Sequence, residues 1–298
     1  MTKYGRQTRE ALKNSRLAPK KRFGQNFLVH RQTAESIVYA AQVSGSDIIL
    51  EVGVGLGALT QPLAAVAQHV LGYEIDSGII RYHEEQGDLP DNVTLVHQDI
   101  LTADFQNIAD RCGGKLKIVA NLPYSISNPF IFKLIDNAVL IDTATIMMQK
   151  EVADRLMAAP HSKEYGVPTV LLASCATVRK LLTLSPGEFH PRPKVDSVVV
   201  RLDFSNKGGQ QGRYDFALFR RLVRATFNQR RKTILNTLSG AALFSELTGE
   251  DKKANKQATL SSIQLANLLP EARPETLTCE DFINLAIQVA DQRENFGE

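Results

Sequence analysis

Glu51-Val-Gly-Val-Gly-Leu-Gly57 joins a short apolar segment to a helical pattern. The preceding residues, Asp47-Ile-Ile-Leu-Glu-Val52, predict a buried strand, and residues 58–67 predict a helix. Glycines 53, 55 and 57 let the backbone turn sharply and approach a ligand closely. Because Gly53 to Ala58 also satisfies the dinucleotide pattern, the stretch indicates a nucleotide-type site; a turn needed only for tight packing is the alternative.

Apolar strands continue to alternate with helical patterns along the chain. Further strands are predicted at residues 70–74, 93–96, 116–120 and 144–148. This alternation is typical of a mostly parallel sheet with helices on both faces. Two later strands, from Thr177 onward and over Ser197–Leu202, flank a proline-rich turn and suggest an antiparallel edge. The predicted fold class is therefore α/β, with a Rossmann-like sheet.

A composition change divides the chain into two domains. Residues 205–212 are rich in Gly and Gln and read as a linker between a domain over 23–204 and a second one over 213–298. Beyond the linker, Phe216, Phe219, Val223 and Phe227 recur at helical spacing. The second domain is therefore predicted to be smaller and all-α.

Composition excludes several protein classes. Hydrophobic residues make up 43% and charged residues 22% of the 298, as in globular proteins. The longest near-apolar run, 167–178, is shorter than the roughly 20 residues of a membrane span, and no secretory signal is recognisable at the N-terminus. Cys112, Cys175 and Cys279 are odd in number and far apart, which argues against disulfides and predicts a cytoplasmic location.

Positive charge is concentrated in two segments. Residues 1–22 hold eight basic residues and one acid, a charge of +7, so the rest of the chain carries −4 within a total of +3. Residues 213–232 contain seven basic residues and a single acidic residue, Asp215. Such segments bind phosphates in nucleic-acid proteins, but a solvated arm or helix face has the same composition.

Polar residues follow three of the predicted strands. Glu74 ends the second strand, where a carboxylate can accept from ribose hydroxyls. Asp99 follows the third and either accepts from an adenine amine or caps a turn. These residues indicate a cofactor that contains adenosine.

The fourth strand ends in Asn121-Leu-Pro-Tyr124, which is the most informative stretch. An adenine amine is a poor nucleophile because its lone pair is delocalised into the ring. The Asn121 side chain and the Leu122 carbonyl offer two acceptors for its N–H bonds, and Pro123 stiffens the turn. Tyr124 offers a ring for stacking on the base. A loop asparagine beside a core tyrosine is the structural alternative.

Taken together, the motifs resemble those of the ribosomal RNA adenine dimethylases that modify the small subunit. The resemblance runs from about Lys20 to at least Leu238. Besides the stretches above, it includes Phe23-Gly-Gln-Asn-Phe-Leu28, Phe189-His-Pro-Arg-Pro-Lys-Val-Asp-Ser197 and Phe227-Asn-Gln-Arg-Arg-Lys232. One departure is Val54, where relatives usually have proline.

This resemblance implies a class I methyltransferase sheet and S-adenosylmethionine as the cofactor. The activity implied is transfer of two methyl groups to N6 of each of two adjacent adenosines in small-subunit (16S) ribosomal RNA. The implied partners are that RNA and the small ribosomal subunit or its precursor, with no membrane and no metal involved.

The resemblance also implies roles for individual residues. Asn26 and Leu28 cover the cofactor, and Gly53 and Gly55 lie against its methionine end. Glu74 holds the ribose, and Asp99 holds the adenine amine. The residues expected at the reaction centre and against the RNA are Asn121, Leu122, Pro123, Tyr124, Phe189, Arg220, Arg221 and Arg224.

Three of these expectations carry alternatives. Phe189 is either the second stacking face for a flipped base or a core residue between the late strands. The chain is alternatively a large-subunit adenine methylase of the antibiotic-resistance type, which a mass measurement on digested RNA would reveal. Two alternatives from other classes are a binding module and an NAD oxidoreductase. Intact Asn121–Tyr124 counts against the first, and titration with NAD and S-adenosylmethionine tests the second.

Overall fold

The computed structural model describes residues 25–207, 212–241, 243–244 and 251–295. The predicted arm, residues 1–22, and residues 208–211 of the predicted linker lie outside these ranges. Within them, no helix is both long enough and apolar enough to cross a membrane.

In the described ranges, nine strands form two sheets. The strands are β1 (Phe27–Leu28), β2 (Ile48–Val52), β3 (His69–Glu74), β4 (Val93–His97), β5 (Leu116–Asn121), β6 (Ile141–Gln149), β7 (Thr177–Leu184), β8 (Phe189–His190) and β9 (Ser197–Asp203). The large sheet has the order β4-β3-β2-β5-β6-β9-β7. Its first five strands are parallel, and β9 pairs antiparallel with both β6 and β7. The α/β class and the antiparallel edge are therefore confirmed.

Helices cover most of the remaining described chain. They are α1 (Arg31–Ala40), α2 (Thr60–Ala64), α3 (Ser77–Gln86), α4 (Phe105–Arg111), α5 (Ser127–Asp136), α6 (Lys150–Leu156), α7 (Val167–Ala173), α8 (Phe216–Phe227), α9 (Ile234–Gly240), α10 (Lys252–Leu265) and α11 (Cys279–Asn295). The helix expected over 58–67 is shorter than predicted, because the chain first turns through Gly57 and reaches helical geometry only at Thr60.

The central strands are apolar on both faces. In β6, the six residues from Thr143 to Met148 are all buried, as expected for a strand covered by helices on both sides. Helices α1 and α2 contribute Ile37, Val38 and Leu63 to a core cluster that also includes Val119 and Met147. Because such a core fixes the strand order, it also fixes where the carboxyl ends of β2 to β5 meet.

The described residues form two compact units that differ from the predicted division. The first unit contains the residues up to Ala153 and Thr177–Asn206, and the second contains Asp154–Ala176 and the residues from Lys207 onward. In the second unit, the Tyr165 hydroxyl donates to the Leu277 carbonyl at 2.9 Å, and its ring meets Phe227 edge-on. Residues 154–176, which the sequence pattern placed in the sheet domain, therefore pack with the helical unit.

Candidate active site

A cleft opens at the carboxyl edge of the parallel strands. Within the sheet, β3 is the neighbour of β2 on one side and β5 is its neighbour on the other. The strand order therefore reverses next to β2, and α/β proteins bind ligands at such a topological switch point. The empty space in the cleft is about 780 Å³. Its walls are formed by Gln25, Asn26, Phe27, Val52, Gly53, Gly55, Tyr73, Glu74, Ile75, Ile79, Gln98, Ile100, Asn121, Leu122, Pro123, Ser125 and Ile126.

Two glycines after β2 form one wall of the cleft. Gly53 has φ +82°, and a Cβ there would lie 3.1 Å from the Asn121 carbonyl oxygen. Gly55 has φ +55°, and a Cβ there would lie 3.3 Å from the Phe27 ring. L side chains rarely adopt such angles, so both positions require glycine. The loop therefore brings bare backbone to the cleft.

Val54, the departure from the usual proline, fits its surroundings. Its side chain is buried, and a Cβ added to Gly72 would lie only 2.7 Å from Val54 Cγ2. Val54 thus occupies space that Gly72 leaves open on β3. The packing holds the glycine loop against the strand that ends in Glu74.

Glu74 is buried at the end of β3 with both carboxyl oxygens engaged by backbone. Gly55 N–H donates to Oε2 at 3.0 Å, and Asp76 N–H donates to Oε1 at 2.9 Å. Burial raises the pKa of the Glu74 carboxyl, and these backbone donors oppose the rise. The glycine loop and the acid are thus joined into one polar surface of the cleft.

The turn after β5 places amide and carbonyl groups in the same cleft. Asn121 Nδ2 donates to the Asn26 carbonyl at 3.3 Å, so the acceptor of this amide is its Oδ1. Leu122 is buried, and a 3-10 turn begins directly after Pro123. Half-buried Tyr124 holds its hydroxyl 2.9 Å from Ser197 Oγ. Burial raises the pKa of Tyr124, and the Ser197 contact opposes the rise.

The N-terminal motif reaches the cleft through a strand pair that the sequence pattern did not indicate. β1 pairs antiparallel with β8, which sets Leu28 opposite Phe189. Both side chains are buried in the sheet-domain core, and Phe189 is only 2% exposed. Asn26 lines the cleft directly, whereas Leu28 supports it from the core. The burial of Phe189 favours its packing role over a stacking face.

Asp99 lies just beside the cleft walls. Its Oδ1 accepts from Leu101 N–H at 2.9 Å, as in a turn, while its neighbours Gln98 and Ile100 line the cleft. Asp99 therefore acts as a turn residue, which was the alternative interpretation. Its other carboxyl oxygen, Oδ2, takes no part in the Leu101 contact. Contact with an adenine amine stays a prediction.

Comparison with known proteins identifies the family of the chain. The sequence model of the family described as ribosomal RNA adenine dimethylase matches residues 16–273. The chain belongs to this family. It is an S-adenosylmethionine-dependent methyltransferase that dimethylates adenine in ribosomal RNA.

Individual relatives of this dimethylase cover nearly its whole length. A Desulfotalea psychrophila protein named "Ribosomal RNA small subunit methyltransferase A" is 59% identical over 285 residues, 96% of either chain. A Lachnoclostridium phytofermentans protein of the same name is 38% identical over 94% of this chain and 95% of its own.

Among solved structures, a dimethyladenosine transferase from Plasmodium falciparum is 28% identical, with a TM-score of 0.76, over 89% of this chain and 98% of its own. The 23S rRNA methyltransferase ErmE, 24% identical with a TM-score of 0.60, covers 89% of this chain and 100% of its own and shares the fold.

The cleft of this dimethylase fits S-adenosylmethionine. Glu74 supplies carboxyl oxygens, and Gly53 and Gly55 supply space that any Cβ would fill. The apolar walls suit a flat adenine ring. They come from residues that the sequence analysis missed: Phe27, Ile75, Ile79 and Ile100. Ile75 directly follows Glu74, and Ile100 directly follows Asp99. An apolar residue directly after an acid that ends or follows a strand is the sequence pattern that could have identified both.

The helical unit presents the predicted arginines along α8. Phe219, Leu222 and Val223 are buried, so the helix turns its other faces outward. The Arg220 guanidinium lies over the Phe216 ring, 5.4 Å from its centre. Arg221 Nη2 donates to the Ala241 carbonyl at 3.0 Å. Arg224 is exposed on the same helix.

A groove follows α8 in the same unit. Its lining residues are Phe227, Asn228, Gln229, Arg230, Arg231 and Lys232. Among the described residues, no group of three or more His, Cys, Asp or Glu side chains is arranged to hold a metal ion.

Proposed function

We propose that this dimethylase modifies small-subunit ribosomal RNA in the cytoplasm and converts two adjacent adenosines to N6,N6-dimethyladenosine. The observation that carries the proposal is the placement of Asn121, Leu122 and Pro123 in the same cleft as Gly53 and Glu74. The names of the bacterial relatives support the small-subunit substrate. Free Cys112, Cys175 and Cys279 suit a reducing compartment.

On the cofactor side, each group has a proposed task. When bound, S-adenosylmethionine supplies a methyl group carried by a sulfonium. Glu74 accepts hydrogen bonds from the ribose, and its raised pKa means that acidic conditions weaken this contact. Gly53 and Gly55 border the methionine end, and Asn26 covers the site with support from Leu28. Asp99 takes the adenine amine through the carboxyl oxygen that the Leu101 contact does not use.

On the substrate side, the Asn121 turn holds the target amine. Asn121 Oδ1 and the Leu122 carbonyl accept its two N–H bonds, which favours a more tetrahedral nitrogen with its lone pair directed at the methyl group. Pro123 keeps the two acceptors in place by stiffening the turn. Catalysis is then mainly positioning and electrostatics. Each transfer would break the bond between the methyl group and sulfur, leave a neutral thioether and release one amine proton to solvent. After the first transfer the amine keeps one N–H and its lone pair, so one of the two acceptors would hold that N–H for a second transfer.

Tyr124 is proposed to stack on the flipped adenine. A base inside a helix or a packed loop has to leave its stack to reach the cleft. The Ser197 contact fixes the Tyr124 ring before the base arrives. A stacking contact of this kind contributes roughly 1–3 kcal/mol. Phe189 is proposed to support β1 from the core rather than to touch the base.

The helical unit is proposed to bind the RNA backbone through Arg220, Arg221 and Arg224. Contacts to phosphates release counterions, so RNA affinity falls steeply with salt. Replacing the three arginines by Gln is expected to weaken RNA binding and to reduce the salt slope by about one per lost phosphate contact. The salt dependence of a filter-binding or anisotropy assay measures this slope. An unchanged slope means that the arginines form a solvated face or serve contacts inside the protein, and do not meet phosphates.

Methyl transfer to isolated ribosomal subunits tests the proposed substrate. Labelled S-adenosylmethionine, this dimethylase and unmodified small subunits should yield N6,N6-dimethyladenosine in the small-subunit RNA. Large subunits lacking adenine methylation are the matched comparison. Label in the large-subunit RNA alone would show that the small-subunit assignment is wrong and would favour the large-subunit alternative.

A further inference from the structure

The glycine loop of the cofactor cleft is held from behind by a histidine that no motif includes. His83 lies on α3 and is 3% exposed. Its Nε2 lies 2.8 Å from the Gly55 carbonyl oxygen, and its Nδ1 lies 2.6 Å from Asp88 Oδ1. The ring therefore connects the loop between α3 and β4 to the backbone that borders the cleft.

The chemistry of these two contacts decides what the ring does. A carbonyl oxygen can only accept, so the contact to Gly55 requires an N–H at Nε2 of the ring. The contact between Asp88 and Nδ1 fixes the rotation of the ring, so that the Nε2–H points at the Gly55 carbonyl.

Two peptide groups meet at Gly55, and each is held by one contact. The peptide before Gly55 donates its N–H to Glu74 Oε2 at 3.0 Å, and the peptide after it accepts from His83 through the Gly55 carbonyl. A glycine at φ +55° has no side chain to restrict rotation, so these two contacts set its orientation. Gln61 adds to the same support, since its Nε2 donates to the Asp88 carbonyl at 2.7 Å.

We propose that His83 is a positioning residue for S-adenosylmethionine binding, with Asp88 as the group that orients it. His83 holds the peptide after Gly55 by its carbonyl while Glu74 holds the peptide before it by its N–H, and together they keep the bare backbone of Gly55 facing the cofactor. The inference rests on the proposed placement of the cofactor at Gly55 and Glu74. It adds a requirement behind the cleft: without a donor to the Gly55 carbonyl, the loop reorients and the cofactor binds less tightly.

Two amide substitutions separate the two contacts of the ring. In His83→Gln, the side-chain NH₂ reaches the position of Nε2 and keeps the donor to Gly55. In His83→Asn, the shorter NH₂ reaches the position of Nδ1 and keeps the donor to Asp88 only. We expect His83→Asn to weaken S-adenosylmethionine binding about tenfold, because the Gly55 carbonyl loses its buried donor. His83→Gln should stay within about threefold of the unchanged protein.

Calorimetric titration of the full-length protein with S-adenosylmethionine measures these affinities, and thermal melting without cofactor measures stability. His69→Asn is the matched control, because His69 starts β3 at the opposite end of the strand and contacts only Thr94 through its ring in the described contacts. Its affinity should not change. If His83→Asn does not fold, Asp88→Asn tests the same inference, because the Asp88 side chain is 35% exposed and tolerates substitution better. Asp88→Asn should weaken S-adenosylmethionine binding about threefold.

The outcomes distinguish this inference from the site assignment. Weaker binding by His83→Asn with near-normal binding by His83→Gln supports the positioning role. A lower melting temperature with unchanged affinity in the folded His83→Asn protein, or in Asp88→Asn where that protein is needed, would overturn it and leave a purely structural histidine. Glu74→Ala tests the site itself: if Glu74→Ala binds normally, the cofactor placement fails, whatever the His83 variants show.

Discussion

Glu51, the first residue of the glycine-rich stretch, is completely buried in β2 behind the cleft. Thr60 Oγ1 donates to its Oε1 at 3.0 Å, and Oε2 has no hydrogen-bond partner in the described part of the chain. Burial is the largest cause that raises the pKa of this carboxyl, to about 8, and nearby Glu74 raises it further. Folded protein therefore carries Glu51 as the neutral acid at pH 7.

The consequence is a stability that depends on pH. Because the folded-state pKa is raised from 4.5 to about 8, folded protein holds this proton more tightly than unfolded chain does. The resulting stabilisation is fully present below about pH 4.5 and is lost as pH rises to about 8. At about 1.4 kcal/mol per pKa unit, the loss is on the order of 5 kcal/mol.

The substitution Glu51→Gln tests this reasoning. Gln keeps an oxygen for Thr60 but has no proton to lose, so its stability should not show this decline. Urea unfolding followed by circular dichroism between pH 5 and 9 should show the unchanged protein losing stability relative to Glu51→Gln, with the steepest divergence below pH 8. Glu85→Gln, at an exposed position on α3, is the control. Parallel pH curves for the unchanged protein and Glu51→Gln would refute a raised pKa at Glu51.

Three further substitutions test the reaction site. Asn121→Ala should slow single-turnover methyl transfer at least a hundredfold while cofactor binding persists, because Glu74 remains; a near-normal rate would exclude the acceptor role. Tyr124→Ala should cut the transfer rate strongly with cofactor affinity nearly unchanged, and Tyr124→Phe should be milder because the ring face remains. Equal loss in both would point to the Ser197 contact instead. Phe189→Ala should cost about 3–5 kcal/mol of stability, seen as a lower melting temperature, with transfer retained at low temperature. A stable but inactive Phe189→Ala protein would restore the stacking role.

Much of the sheet and of the cleft could be predicted because the relevant signals are local. Apolar runs flanked by turn residues mark strands without reference to the rest of the chain. Because those strands are parallel, their carboxyl ends share one edge of the sheet. Glu74 and Asn121 are therefore expected to lie close together although 46 residues lie between them in the chain. The same rule predicted Asp99 at the cofactor, but the structure places it between the lining residues Gln98 and Ile100, where its side chain accepts from Leu101 N–H in a turn.

Periodicity and strand-end chemistry were enough to predict the α/β class, the glycine turn and the polar edge, because both act over a few residues. Which distant segments meet is a property of the tertiary structure. It paired Phe27–Leu28 with Phe189–His190, buried Phe189, joined 154–176 to the helical unit and set His83 behind Gly55. Each of these contacts depends on shape complementarity between surfaces built from separate parts of the chain. No local pattern encodes that fit, because the same short segment can pack against many partners, and the lowest free energy is set by the whole core.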